Sequence, residues 1–218
     1  MQRCARPGII EGWSRELDRV LAILNGVGQL LPVTVIGAII LFIIKELLEA
    51  KRREKANARK RRAVRRLIAD EIERNNWTIG RLRDGISTIE TAMEISGFNL
   101  SIRTGTHGER YLRSELSGKL HSESLIGRVH SEALSSNLLE LAIIDEHIFD
   151  EALEASDATK ELDHVLKLMI EEVSNKDHFM QLVGLADFAK AEIADCERTL
   201  SNFYGSITGR NLEGRRIR

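Results

Sequence analysis

LLPVTVIGAIILFIIKELL, Leu30 to Leu48, is followed at once by EAKRREKANARKRRAVRR, Glu49 to Arg66. The first stretch is apolar and the second is strongly basic. From Gly26 to Ile44 no residue is charged, and Leu30, Leu31, Val33, Val35, Ile36, Ile39, Ile40, Leu41, Phe42, Ile43 and Ile44 are all large and apolar. At roughly −0.3 to −0.6 kcal/mol each near a bilayer centre, they favour insertion by about 5 kcal/mol. As a helix the stretch is roughly 30 Å long, the thickness of a hydrocarbon core. The expectation is therefore a transmembrane helix over residues 29–48, with Pro32 near its start, where a missing N–H costs least. A cleaved signal peptide fits less well, because the run is too long and no A-x-A-like site follows it. A buried core helix fits less well too, because such helices usually keep a polar face.

The basic run fixes the expected orientation. Residues 45–66 hold eleven Lys and Arg against three Glu, and residues 1–26 hold four Arg against three acids. The positive-inside rule then puts the N-terminus outside and the C-terminal domain in the cytoplasm, as a single-pass protein of the inner (plasma) membrane. Lys51, Arg52, Arg53, Lys55, Arg59, Lys60, Arg61 and Arg62 are expected to contact anionic lipid, at about 1 kcal/mol of attraction per base. Nucleic acid is the weaker reading of the same charges, because a membrane-proximal collar already accounts for them.

Before the span, residues 1–28 read as an extracytoplasmic segment with an interfacial amphipathic helix. Trp13, Leu17, Val20, Leu21 and Leu24 share one face of it. After the span, residues 49–66 form a solvated helical neck, and residues 67–208 form the body. The body and tail hold seventeen Lys and Arg against twenty-seven Asp and Glu, so an acidic domain follows a basic collar. Six Phe, two Tyr, two Trp and two Pro in 218 residues favour helix throughout.

Two heptad seams organise the body. Ile68, Ile72, Asn75, Ile79, Leu82, Ile86, Ile89 and Met93 alternate by four and three. The neighbouring positions Ala69, Asn76, Thr78, Gly85 and Ala92 carry no charge, which favours a bundle over a free coiled-coil dimer. Asn75 would fix register at some cost in stability. Phe179, Leu182, Ala186, Ala189, Ile193, Cys196, Leu200 and Phe203 repeat the spacing near the C-terminus. Between the seams, Leu134, Leu138, Leu141, Ala142, Ile148, Phe149 and Ala152 predict one helix. Leu162, Val165, Leu166, Met169, Ile170 and Val173 predict the next, capped by Ser156 or Asp157. Residues 97–130 read as an irregular, flexible connection with short helical turns near Leu112, Leu116 and Leu120 and from Leu125 to Val129. Residues 209–218 read as a basic tail. The fold class expected is all-α: a single N-terminal transmembrane helix followed by a cytoplasmic antiparallel helical bundle.

The sequence carries no catalytic constellation. Glu161 and His164 have the Glu-x-x-His spacing of half a di-iron site, but no second pair exists, and the apolar stripe turns both away from the core. Gly105 and Gly108 flank Thr106 and His107 without the spacing of a phosphate-binding fingerprint. Asp145 falls near an apolar stripe and, if buried, requires a partner such as an Arg from another helix. Cys4 and Cys196 have no CxxC spacing and exclude a disulfide framework. No cofactor, metal or small-molecule substrate is expected. The function expected is protein–protein interaction or self-association as a homo-oligomeric scaffold, adaptor or sensor. A membrane-acting effector or toxin that perturbs the bilayer is the alternative, and a metal-dependent bundle enzyme comes third.

Overall fold

The computed structural model describes residues 33–175 and 179–213. Leu30 and Leu31, the amphipathic segment 9–24, Cys4 and the end of the basic tail lie outside them. The elements in order are α1 (Val33–Glu94), β1 (Phe98–Thr104), β2 (Arg110–Leu116), β3 (Lys119–Ile126), α2 (Glu132–Ile144), a 3-10 turn (Glu146–Ile148), α3 (Phe149–Ser174) and α4 (Phe179–Thr208). The chain divides into two compact units, Met1–Ala56 and Asn57–Arg218.

Among the described residues no helix is long and apolar enough to cross a membrane. This corrects the expected transmembrane span, the single-pass topology and the inner-membrane location with its cytoplasmic C-terminal domain. Among the described residues the charge-free part of α1 is Val33 to Ile44, about 18 Å of helix against a hydrocarbon core of about 30 Å; Leu30 and Leu31 of the expected span lie outside them. Lys45, Glu46 and Glu49 then enter the helix within a little over one turn.

The all-α class is also corrected: 74% of the described residues are helical, but they also hold a three-stranded antiparallel sheet of order β1-β2-β3. The stretch expected to be a flexible connection is this sheet. Its pattern is faint because the face turned to the core is half hydroxyl. Pairing sets Leu100 against Ser114 against Ser122, and Ile102 against Leu112 against Ser124. Leu112 and Ser114 are fully buried, and the Ser114 and Ser122 hydroxyls satisfy each other at 2.7 Å. Leu112, Leu116 and Leu120 are spaced like a helix. In the sheet Leu112 and Leu116 share a face by period two, and Leu120 lies past the turn. That turn is Ser117-Gly118, both at positive φ (51° and 79°), as a two-residue type I′ hairpin demands. Gly97, at φ 87°, closes α1 and starts the sheet.

Within Asn57–Arg218, α1 is flanked by α3 and α4. The ion pairs Arg83–Glu197 and Lys190–Glu90, and the bond from Tyr204 to Glu73, run in opposite directions along α1 and α4. The two helices are therefore antiparallel. The sheet rests where α1 is thinnest: a Cβ added at Gly85 would lie 3.4 Å from Met169 of α3 and 3.6 Å from Leu112 of β2. One continuous core results, from Val64 on α1 through Leu112 and Ile126 of the sheet to Ile207 on α4.

The break expected at Ser156 or Asp157 lies instead at Asp145. Ser156 and Thr159 are buried in the middle of α3, and the Thr159 hydroxyl donates to the Ala155 carbonyl at 2.8 Å. Asp145 ends α2, is 9% exposed and is ion-paired with Arg65 of α1, which supplies the partner a buried carboxylate requires.

Candidate functional site

Three polar side chains on α1 hold the segment that leads from β3 into α2. Glu71, Asn75 and Thr78 lie one turn apart on one face and are all buried. Asn75 donates through Nδ2 to the His130 carbonyl at 2.7 Å and accepts from the His130 N–H at 2.8 Å through Oδ1. The Thr78 hydroxyl donates to the Arg128 carbonyl at 2.8 Å. The Glu71 carboxylate accepts from the Ala133 N–H at 2.6 Å and from the Leu134 N–H at 2.9 Å. These are orphan donors of the first turn of α2, so a side chain of another helix caps it. Ser131, the residue at the cap position, makes no side-chain cap bond. Gly127 makes the approach possible, since a Cβ there would lie 2.8 Å from the Thr78 side chain.

His130 sits against this clamp. Its imidazole pKa is lowered from 6.5, first by burial and then by the charges of Arg74 and Arg128, against weaker opposition from Glu71 and Glu132.

Beside the clamp a cleft of about 640 Å³ opens between the β1–β2 hairpin loop, α1 and α3. Leu166 and Ile170 of α3, with Ile126, form its apolar floor, and Trp77 stands on the wall. The Arg81 guanidinium lies 5.2 Å from the Trp77 ring centroid, a cation–π distance. His107 and Gly108 of the hairpin loop reach the rim. Gly108 has a φ of 84°, and the Gly105 N–H donates to the Glu109 carbonyl at 2.7 Å, so the glycines build a turn. Asp163 and Lys167 pair across one helical turn at 2.5 Å.

The structure brings both predicted seams into one core. Ile68, Ile72, Asn75, Ile79, Leu82, Ile86 and Ile89 are buried, and Met93 packs at the margin. Leu182, Ala186, Ala189, Ile193, Cys196, Leu200 and Phe203 are buried on α4, which Phe179 begins. Asn75 faces its own chain rather than a second Asn. Cys196 donates through Sγ to the Ala158 carbonyl at 3.2 Å. Its thiol pKa is raised to about 11 by burial first and by the nearby Glu192, Glu161 and Asp195 charges. His164 is exposed, and among the described residues no group of His, Cys, Asp and Glu could hold a metal.

Most of the described residues that were expected in a bilayer lie exposed along α1. Val35, Ile39, Ile40, Leu41, Phe42 and Ile44 are exposed, as are Leu47 and Leu48, while Ile36 and Ile43 are half-buried. Of the collar, Lys51, Arg52, Arg53, Lys55, Arg59, Lys60 and Arg62 are exposed and Arg61 is half-buried. Arg53 pairs with Glu49 at 3.3 Å, and Lys60 pairs with Glu140 of α2 at 3.0 Å. Sequence reasoning missed the clamp and the cleft. Glu71 could have been found as an acid next to Ile72 of the first seam, and Ser117-Gly118 as a hairpin signal.

Comparison with protein-family models, with curated proteins and with solved structures finds no match to this chain.

Proposed function

We propose that the protein acts by protein–protein contact, chiefly by self-association, and not by catalysis. The observation that carries this reading is the apolar stretch of α1 from Val35 to Ile44, with Leu47 and Leu48 beyond it. Leu41 is 69% exposed and Phe42 63%, with Ile40, Ile44 and Leu48 close behind. At about 25 cal/mol per Å² of apolar surface, a helix this bare is strongly favoured to bury itself against another. A helix apolar on all sides matches a like helix, since bundled copies cover each other's faces.

Sedimentation equilibrium of the full chain tests the reading. The expected result is a mass of two or more chains, reduced to one by Leu41→Glu with Phe42→Glu. A monomer across the micromolar range, with no other protein retained through purification, sinks it.

A further inference from the structure

A second cleft, of about 550 Å³, lies between α1 and the C-terminal end of α4. Four guanidinium side chains converge on it: Arg62, Arg65 and Arg66 from α1, and Arg210 from beyond α4. Elements nearly 150 residues apart in sequence are needed to assemble the group, so it is not the solvated face of one helix. Two carboxylates also line the cleft, and both are engaged: Asp70 with Arg74 at 2.7 Å, and Glu73 with the Tyr204 hydroxyl at 2.7 Å. Arg65 gives Nη2 to Asp145, and its Nε is buried with no acceptor. Arg62 uses Nε on the Ala58 carbonyl at 3.2 Å. Among the described residues, Arg62, Arg66 and Arg210 have no carboxylate partner. The cleft thus concentrates positive charge beyond what its own acids neutralise, and the Thr208 hydroxyl stands at the same wall.

We propose that this cleft is a binding site for a phosphate-bearing anion of two or more charges. Guanidinium forks match phosphate oxygens in two-point hydrogen bonds, and several converging forks favour a phosphate over a single carboxylate. The phosphate could be carried by a free molecule or by a lipid headgroup, and the chemistry of recognition is the same.

The test is calorimetric titration of the full chain with inorganic tripolyphosphate. Saturable binding is expected in the parent, weakened at least about tenfold by Arg66→Gln with Arg210→Gln, the effect of losing one charge-assisted hydrogen bond. Arg103→Gln with Arg198→Gln removes the same charge away from the cleft and is expected to change affinity less than about twofold. Both pairs are exposed, and circular dichroism verifies that each variant folds. Flotation with phosphatidylcholine vesicles, with and without phosphatidic acid, separates the sources. Retention on the acidic vesicles that needs Arg66 and Arg210 assigns a headgroup, and its absence beside saturable calorimetry assigns a free anion. Equal weakening by the two variant pairs, or no saturable binding by the parent, overturns the proposal.

Discussion

The side-chain amide of Asn75 closes a two-bond ring with the backbone of His130, Nδ2 to carbonyl at 2.7 Å and N–H to Oδ1 at 2.8 Å. Asn75 is 1% exposed, so neither bond has a water substitute on the amide side. Asn75→Leu keeps the branched four-atom shape of the side chain and strands both backbone groups. The expected loss is about 2–4 kcal/mol in a urea titration, since each unsatisfied buried group costs about 1–3 kcal/mol. The sedimentation mass is expected to stay unchanged, because the amide reads its own chain and not a partner's.

Gly127 and Gly80 make a contrasting pair. A Cβ at Gly127 meets Thr78 Cγ2 and Oγ1 at 2.8 Å and its Cα at 3.0 Å, so the backbone must give way. Gly127→Ala is expected to destabilise by about 1–3 kcal/mol. Gly80 is an exposed position in α1 with nothing within 4 Å of an added Cβ. Gly80→Ala is expected to stabilise by about 0.5–1 kcal/mol through helix propensity. Thermal unfolding of the two variants shifts in opposite directions if the clamp geometry is right.

His130 gives the fold a pH dependence of known sign. Its folded pKa lies below the ordinary 6.5, chiefly through burial. Between the two values the unfolded chain binds more protons, so stability rises with pH there. The contribution is fully present above the unfolded value and is lost as pH falls through the folded one. His130→Gln leaves the backbone ring with Asn75 in place and removes this slope. As pH falls below the ordinary value of 6.5, the unfolding midpoint of the parent is expected to drop relative to that of the variant.

Cys196 is expected to be inert while the protein is folded. The thiolate is the reactive form, and burial holds the thiol at about 11. In a Cys4→Ser chain, a disulfide reagent at neutral pH is expected to label nothing until denaturant is added. Stoichiometric labelling of the native chain would refute the buried placement.

The two seams were legible because period 3.5 and burial coincide: from Ile68 to Ile89 each seam residue is within 2% of fully buried. The sheet was not, because Ser114, Ser122 and Ser124 occupy its inner face and dilute the alternation that marks a strand. The clamp was hidden for a different reason. Asn75 reads the same in a seam whether it meets another Asn or a backbone 55 residues away, and only tertiary structure separates the two. The apolar run around Ile39 and Phe42 is plain in the sequence, but among the described residues Lys45, Glu46 and Glu49 follow it too soon for a helix that crosses a membrane. The cleft at Arg66 and Arg210 unites residues that no local pattern relates.

The clamp also sets an order of events in folding. Its bonds join residues 50 to 63 positions apart. Closing a loop of that length costs about 3.5 kcal/mol in chain entropy beyond the constant term. The β2–β3 hairpin closes across two residues, and α3 and α4 are neighbours in sequence, so both form with little such cost. The clamp is therefore expected to close after the β2–β3 hairpin and the α3–α4 pair, once the sheet has brought Gly127 back alongside α1. Asn75→Leu should then speed unfolding several-fold and leave the refolding rate nearly unchanged in stopped-flow measurements. Equal slowing of refolding would place the clamp in the nucleus instead.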